Sequence, residues 1–416
     1  MPVVILFGEN DGLADPKDVK WLASQLPNLI EISPVSDPKW THLDNTYNPP
    51  EYDLSASTMP VVILFGENDG LADPKDVKWL AAQLPNLIEI TPVSDPKWTH
   101  LDNSYNSFLD AGPDAGLAYL LADTCEDLWV ANCRGNYYSR AHIFLNPNKD
   151  PKFWEFDVQE IGYYDVPAVI DYVLDQTNAD KVNYIGFSQG AGTVFIMCSE
   201  RPDYCEKLNL LIGLAPASRQ THTRSVFFRS LAILSWKSED ALKLLGVNEL
   251  FGKGLRDILS VFCSLDNVAS DICLSFLWIL DSPHPNSVTY PTIRSLFGHF
   301  TAGTSLHNMA WYGQSVINDK FRKFDYGTVK NLVLYQSVDP PEYNLSASTM
   351  PVVILFGEND GLADPKDVKW LASQLPNLIE ISPVSDPKWT HLDNTYSKYI
   401  GNLTFPKIRD YLRKYN

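Results

Sequence analysis

Residues 183–192 read "NYIGFSQGAG", and the fold turns on how the serine within them is held. The pattern is G-x-S-x-G, with Ser188 between Gly186 and Gly190. The bare pentapeptide is short and arises by chance. Its context is more specific. "KVNYIGF" (181–187) is an apolar run of strand type, and "GAGTVFIMCSE" (190–200) reads as a helix. A nucleophile elbow needs a strand, a tight turn and a helix. Its serine sits at strained φ/ψ, so the neighbouring side chains have to be small. The plainer alternative is a glycine-rich turn whose serine caps the helix. Small residues on both sides, Gly186, Gly190, Ala191 and Gly192, favour the elbow.

Working outward, "DLWVANC" (127–133) reads as a buried strand, "QEIGYYDVPAVIDYVLDQT" (159–177) as a helix and "LNLLIGLAP" (208–216) as a strand. Strand–helix alternation predicts an α/β fold with a doubly wound, mostly parallel sheet. Residues 217–310 break the rhythm. They hold apolar helical stretches such as "SVFFRSLAILSW" and "DICLSFLWIL" and no clear strand, which predicts an α-helical cap inserted over the sheet.

A nucleophilic serine needs a base, and the base needs an orienting carboxylate, which in this architecture follow in the order Ser, Asp, His. Downstream lies "MPVVILFGENDGLADPKDV" (350–368). Two acids compete there. Asp364 precedes Pro365, with Asp367 in the following turn, which is the signature of a helix N-cap. Asp360 stands at the carboxyl end of the strand, where sites form in open α/β sheets, and takes the orienting role. The helix from Pro365 buries Val368, Leu371, Ala372 and Leu375 and stops near "LPN"; "LIEISPV" (378–384) reads as a further strand. His391 follows in "WTHLDN" as the candidate base. Phe356, standing where the first carboxylate ligand belongs, argues against a calcium loop.

This segment occurs three times. Residues 1–47 and 350–396 are identical, and residues 59–105 differ only at Ala82, Thr91 and Ser104. Solenoid repeats recur at a fixed period, and these do not, which points to duplication. The third copy follows Ser188 and runs into a C-terminal helix, so Asp11/His42 and Asp69/His100 are spare pairs. The expected organisation is two duplicated Asp/His segments over 1–105, a core with the serine elbow over 106–216, a helical cap over 217–310 and core again, with the Asp and His, over 311–416.

Composition bounds the rest. Thirty-three Lys and Arg against 51 Asp and Glu give a net charge of −18, which repels nucleic acid and anionic membrane. No apolar run approaches a membrane span, and "MPVVILF" lacks the basic leader of a signal peptide, so no export signal is expected. Six cysteines without a CxxC argue against zinc, and most are expected as buried thiols. Sequons at Asn344 and Asn402 are of a kind common by chance. No metal or organic cofactor is called for.

Further motifs carry a resemblance. "GLAYLLAD" (116–123), "LWVANCRGNYYSR" (128–140), "YYDVPAVIDYV" (163–173), "YIGFSQG" (184–190), "AGTSLHNM" (302–309), "FDYG" (324–327), "LADPKDV" (362–368) and "HLD" (391–393) resemble the acid lipases, gastric and lysosomal acid lipase and their insect relatives, over about residues 108–416. The resemblance implies an α/β-hydrolase with a helical cap that cleaves acylglycerols or sterol esters. It implies Ser188 as nucleophile, Asp360 as orienting acid, His391 as base and the Gln189 N–H as an oxyanion donor. It also implies a Cys263–Cys273 cap disulfide, an extracellular or lysosomal setting and association with lipid surfaces. Two features depart from it. Phe187 stands where the family commonly has histidine. The family's first strands and the His-Gly loop that supplies a second oxyanion donor have no clear counterpart: no glycine follows His100 in "HLDNSYNSFLDAGP" (100–113). Two rival readings follow, a lipase-like lipid-binding protein without turnover and a misassembled gene product. A peptidase on the same fold is disfavoured by the cap.

Overall fold

The computed structural model describes strand segments 3–8, 29–35, 61–65 and 87–92, and residues 105–124, 127–299 and 302–415. The chain forms two compact units, Met1–Asp95 and Pro96–Asn416. In the first, β1 (Val3–Gly8) pairs in parallel with β2 (Leu29–Val35), and β3 (Val61–Phe65) with β4 (Leu87–Pro92). Asp11, His42, Asp69 and His100 lie outside the described residues.

The second unit holds a sheet of β5 (Val182–Phe187), β6 (Leu208–Leu214), β9 (Val352–Phe356) and β10 (Leu378–Pro383), all parallel, in the order β10-β9-β6-β5. A short antiparallel pair, β7 (Glu249–Leu250) with β8 (Thr304–Ser305), forms a separate two-stranded sheet. Parallel strands need crossovers. Helix α1 (Gln189–Glu200) joins β5 to β6, and the cap and the segment after it join β6 to β9. The cap contains α2 (Val226–Lys237), α3 (Glu239–Leu244), α4 (Lys253–Ser264), α5 (Asn267–Leu280) and α6 (Tyr290–His299), followed by α7 (Leu306–Ser315). Helix α8 (Pro365–Gln374) then joins β9 to β10, and α9 (Phe405–Tyr415) closes the chain.

Side chains alternate across a strand, so a sheet covered on both faces reads as continuously apolar. Leu211, Val352, Ile354 and Phe356 enter one core with Val194, Phe195, Met197, Val368 and Leu371. Their neighbours Leu210, Ile212, Val353 and Leu355 enter another with Trp389, Ile400 and Ile408. Every residue of β9 is buried. The cap has a third core, in which Cys263, Cys273, Leu277, Ile293, Leu296 and Phe297 meet Tyr396 from the segment after β10.

Two expectations are corrected, and a third holds with a local irregularity. Residues 127–133 are not a buried strand: Leu128, Trp129 and Val130 are 37–41% exposed. A strand needs a ladder partner as well as an apolar run. Here Trp129 instead packs edge-on against Tyr172. Residues 159–177 are helical with a π-turn at Ile161–Asp165 ahead of Pro167, a residue that has no N–H to give to a regular helix. Four cysteines are not thiols. Cys198 bonds Cys205 across the end of α1, and Cys263 bonds Cys273 between α4 and α5.

Candidate active site

Ser188 ends β5 and starts α1 with φ 51° and ψ −119°, outside every region comfortable for a residue with a Cβ. The surrounding backbone holds it there. Its N–H donates to the Leu214 carbonyl at 2.9 Å, and its own carbonyl accepts the Ala217 N–H at 2.9 Å and the Gly192 N–H at 3.1 Å. The glycines allow this approach. A Cβ on Gly192 would collide with the Ala217 carbonyl, and one on Gly186 with the backbone of Ala191.

Asp360 follows β9. Its Oδ1 accepts the N–H groups of Leu362 (2.9 Å) and Ala363 (2.8 Å), which fixes the carboxylate plane. Its Oδ2 lies 2.8 Å from His391 Nδ1, and His391 Nε2 lies 2.7 Å from Ser188 Oγ. With the proton on Nδ1, the imidazole donates to Asp360 and accepts the serine O–H. Asp360 is fully buried and His391 is 4% exposed. Burial lowers the His391 pKa, but the Asp360 charge and hydrogen bond, with the Asp281 charge behind them, outweigh it and leave it above the ordinary value. The competing Asp364 caps α8 through the Lys366 N–H at 2.9 Å and pairs with Arg224 at 3.0 Å.

The Gln189 N–H is the first of α1 and has no acceptor within its own helix. Its side chain is pinned: Oε1 accepts the Asn308 amide at 2.9 Å and the Tyr312 hydroxyl at 3.0 Å. Asn308 and Tyr312 sit one turn apart on α7, a spacing that puts them on one helix face. That i,i+4 pair was visible in the sequence, but nothing there said what it faced.

Ser188 and His391 open into a cavity of about 260 Å³ walled mainly by apolar side chains, among them Phe187, Phe227, Phe228, Phe276, Leu280 and Met309. Cap and sheet both contribute. Phe187 lies against the His391 ring, centroids 4.8 Å apart. Among the described residues no cluster suited to a metal ion is present.

A family profile described as alpha/beta hydrolase fold matches residues 103–223, the part that contains the elbow. Lipase 3 of Drosophila melanogaster is 32% identical over 315 residues, 75% of this chain and 80% of that protein. Gastric triacylglycerol lipase of Bos taurus is 34% identical over 285 residues, 68% of this chain and 70% of its own length. Lipase member K of Homo sapiens is 33% identical over 285 residues, covering 68% and 69%. The chain belongs to the acid lipase family of α/β-hydrolases. Within this lipase fold, sequence reading missed Asp281. It follows the last residue of α5 and accepts hydrogen bonds from the backbone beside both Asp360 and His391. An acid after the last turn of an apolar helix carries no motif, so nothing in the sequence marked it.

Proposed function

We propose that the chain hydrolyses lipid esters with Ser188, His391 and Asp360 as its triad. The observation that carries this is the continuous hydrogen-bonded line Ser188–His391–Asp360, assembled from residues 203 and 31 positions apart at the mouth of an apolar cavity. Ser188 Oγ attacks the ester carbonyl carbon while His391 Nε2 takes its proton. Asp360 keeps the imidazole in the Nδ1–H tautomer and balances the imidazolium. The developing oxyanion faces the Gln189 N–H, a kind of contact whose loss costs about 10²–10³ in turnover. His391 then protonates the departing alcohol, and water, activated by the same imidazole, releases the fatty acid. The aromatic wall suits the acyl chain. On the outer face of the cap Ile258, Val261, Leu265 and Val268 are each more than 60% exposed, which suits contact with a lipid surface.

The test is a fluorophosphonate probe on the full-length protein, with the modified peptide located by mass spectrometry. Labelling at Ser188, lost in His391→Gln and kept in His42→Gln and His100→Gln, is the expected result. A folded sample that does not label but binds a fluorescent fatty acid would replace this reading with lipid binding. The cavity, and the one oxyanion donor identified among the described residues, favour that alternative.

A further inference from the structure

The triad is held from behind by a carboxylate outside it. Asp281 follows the last residue of α5 and is itself buried. Its Oδ1 accepts the N–H of Gly361 at 2.8 Å, and its Oδ2 accepts the N–H of Leu392 at 3.0 Å. Gly361 is the residue after Asp360, and Leu392 is the residue after His391. One cap side chain therefore bridges the two loops that carry acid and base.

The Gly361 peptide is gripped from its other side as well. Its carbonyl accepts the backbone N–H groups of Arg224 (2.9 Å) and Ser225 (3.0 Å) and the Thr223 hydroxyl (3.0 Å), all at the entrance to the cap. A Cβ at Gly361 would collide with the Asp281 carbonyl, so the approach leaves room for hydrogen alone. Leu280, Leu362 and Leu392, each adjacent in sequence to this bridge, line the cavity. The bridge thus lies just behind the cavity wall. Helix α5 is tied to α4 by Cys263–Cys273, which makes the mount stiff.

We infer that Asp281 is a positioning residue: it fixes the separation of the Asp360 and His391 loops and couples the seating of the cap to the alignment of the triad. This rests on the triad reading above. Two N–H donors hold the carboxylate at a fixed spacing, and a side chain that offers one acceptor leaves one loop unheld. Where it is ionised, above about pH 7, Asp281 also faces His391 with a charge that stabilises the protonated imidazole, alongside Asp360. The other charged groups at this seam are Arg224, which contacts the Asp360 carbonyl and the Asp364 carboxylate, and the His284–Asp393 pair on the far side of the His391 loop.

The experiment compares wild type, Asp281→Asn, Asp281→Ala and Asp281→Glu in the full-length protein. It uses Ser188 labelling by the fluorophosphonate and pH–rate profiles on a soluble short-chain ester, with near-UV circular dichroism as the folding control. Asp281→Asn keeps the shape and one acceptor but removes the charge. It is expected to lower kcat by about tenfold with KM within twofold, and to move the acidic limb of kcat/KM to lower pH, because the imidazolium loses a stabilising charge. Asp281→Ala is expected to lose about 100-fold, the scale of an ångström of misplacement. Asp281→Glu is expected to restore the position of the acidic limb. Variants that are folded and match wild type in kcat and in the acidic limb overturn the inference. So does a loss confined to KM or to the circular dichroism. A wild type that does not label at Ser188 overturns the triad reading instead, and the two failures are distinct.

Discussion

Asp360 and Asp364 stand on one turn of chain, and what their oxygens accept separates them. Asp364 gives an oxygen to the first turn of α8, while Asp360 keeps Oδ2 for His391. Proline after Asp364 was the decisive letter, because it marks a helix start and leaves the earlier acid for chemistry. Asp360→Asn is therefore expected to reduce Ser188 labelling by about 10⁴-fold, through the wrong tautomer, whereas Asp364→Asn retains a cap and stays near wild type. The imidazole has to be neutral to accept the serine proton. Since its folded pKa lies above 6.5, kcat/KM falls as pH drops through that raised value and is full above it. A pH–rate profile with its acidic midpoint below 6.5 contradicts the arrangement. Asp281 shows the opposite linkage to an ordinary salt-bridged acid. Burial first, then the Asp360 charge, push it up from 3.8 to about 7. The folded state therefore holds a proton the unfolded chain releases, and this group's contribution to stability declines as pH rises between those values. Melting curves of Asp281→Asn should gain on wild type across that interval, and a constant difference would contradict it.

At the scale of elements, legibility followed from whether an element carries its own reasons. β6 and β9 could be read because a central strand covered on both faces is nearly continuous in apolar residues, and α8 because its cap, proline and spacing agree. Residues 127–133 were misread because pairing depends on a neighbour, and an apolar run does not say whether one exists. The Cys198–Cys205 bridge escaped because spacing alone does not reveal a helix end that turns back on itself. The contacts that seat α7 against α1 were equally hidden. They predict that Asn308→Ala, which removes a buried donor to Gln189, costs about 1–3 kcal/mol and slows Ser188 labelling beyond what the lost stability explains. Tyr312→Phe, which leaves Gln189 one partner, should do less. In the cap, Cys263→Ser with Cys273→Ser is expected to cost about 2–4 kcal/mol, and hydrogen exchange should rise first in α4 and α5.

Across the whole molecule, every described group of the proposed site belongs to the unit Pro96–Asn416. A chain shortened to that unit is expected to keep its Ser188 labelling. The three copies add something about folding. Val4 lies opposite Glu31, Val62 opposite Glu89 and Val353 opposite Glu380, with a register shift at the start of each ladder. Among the described residues, a further strand, β6, flanks the pair only in the third case. The same sequence takes the same register in all three places, so the pairing is carried by the segment itself. Three copies of this segment and one place beside β6 are expected to compete during refolding. The shortened chain should therefore regain its native signal faster, in fewer kinetic phases, at the same unfolding rate.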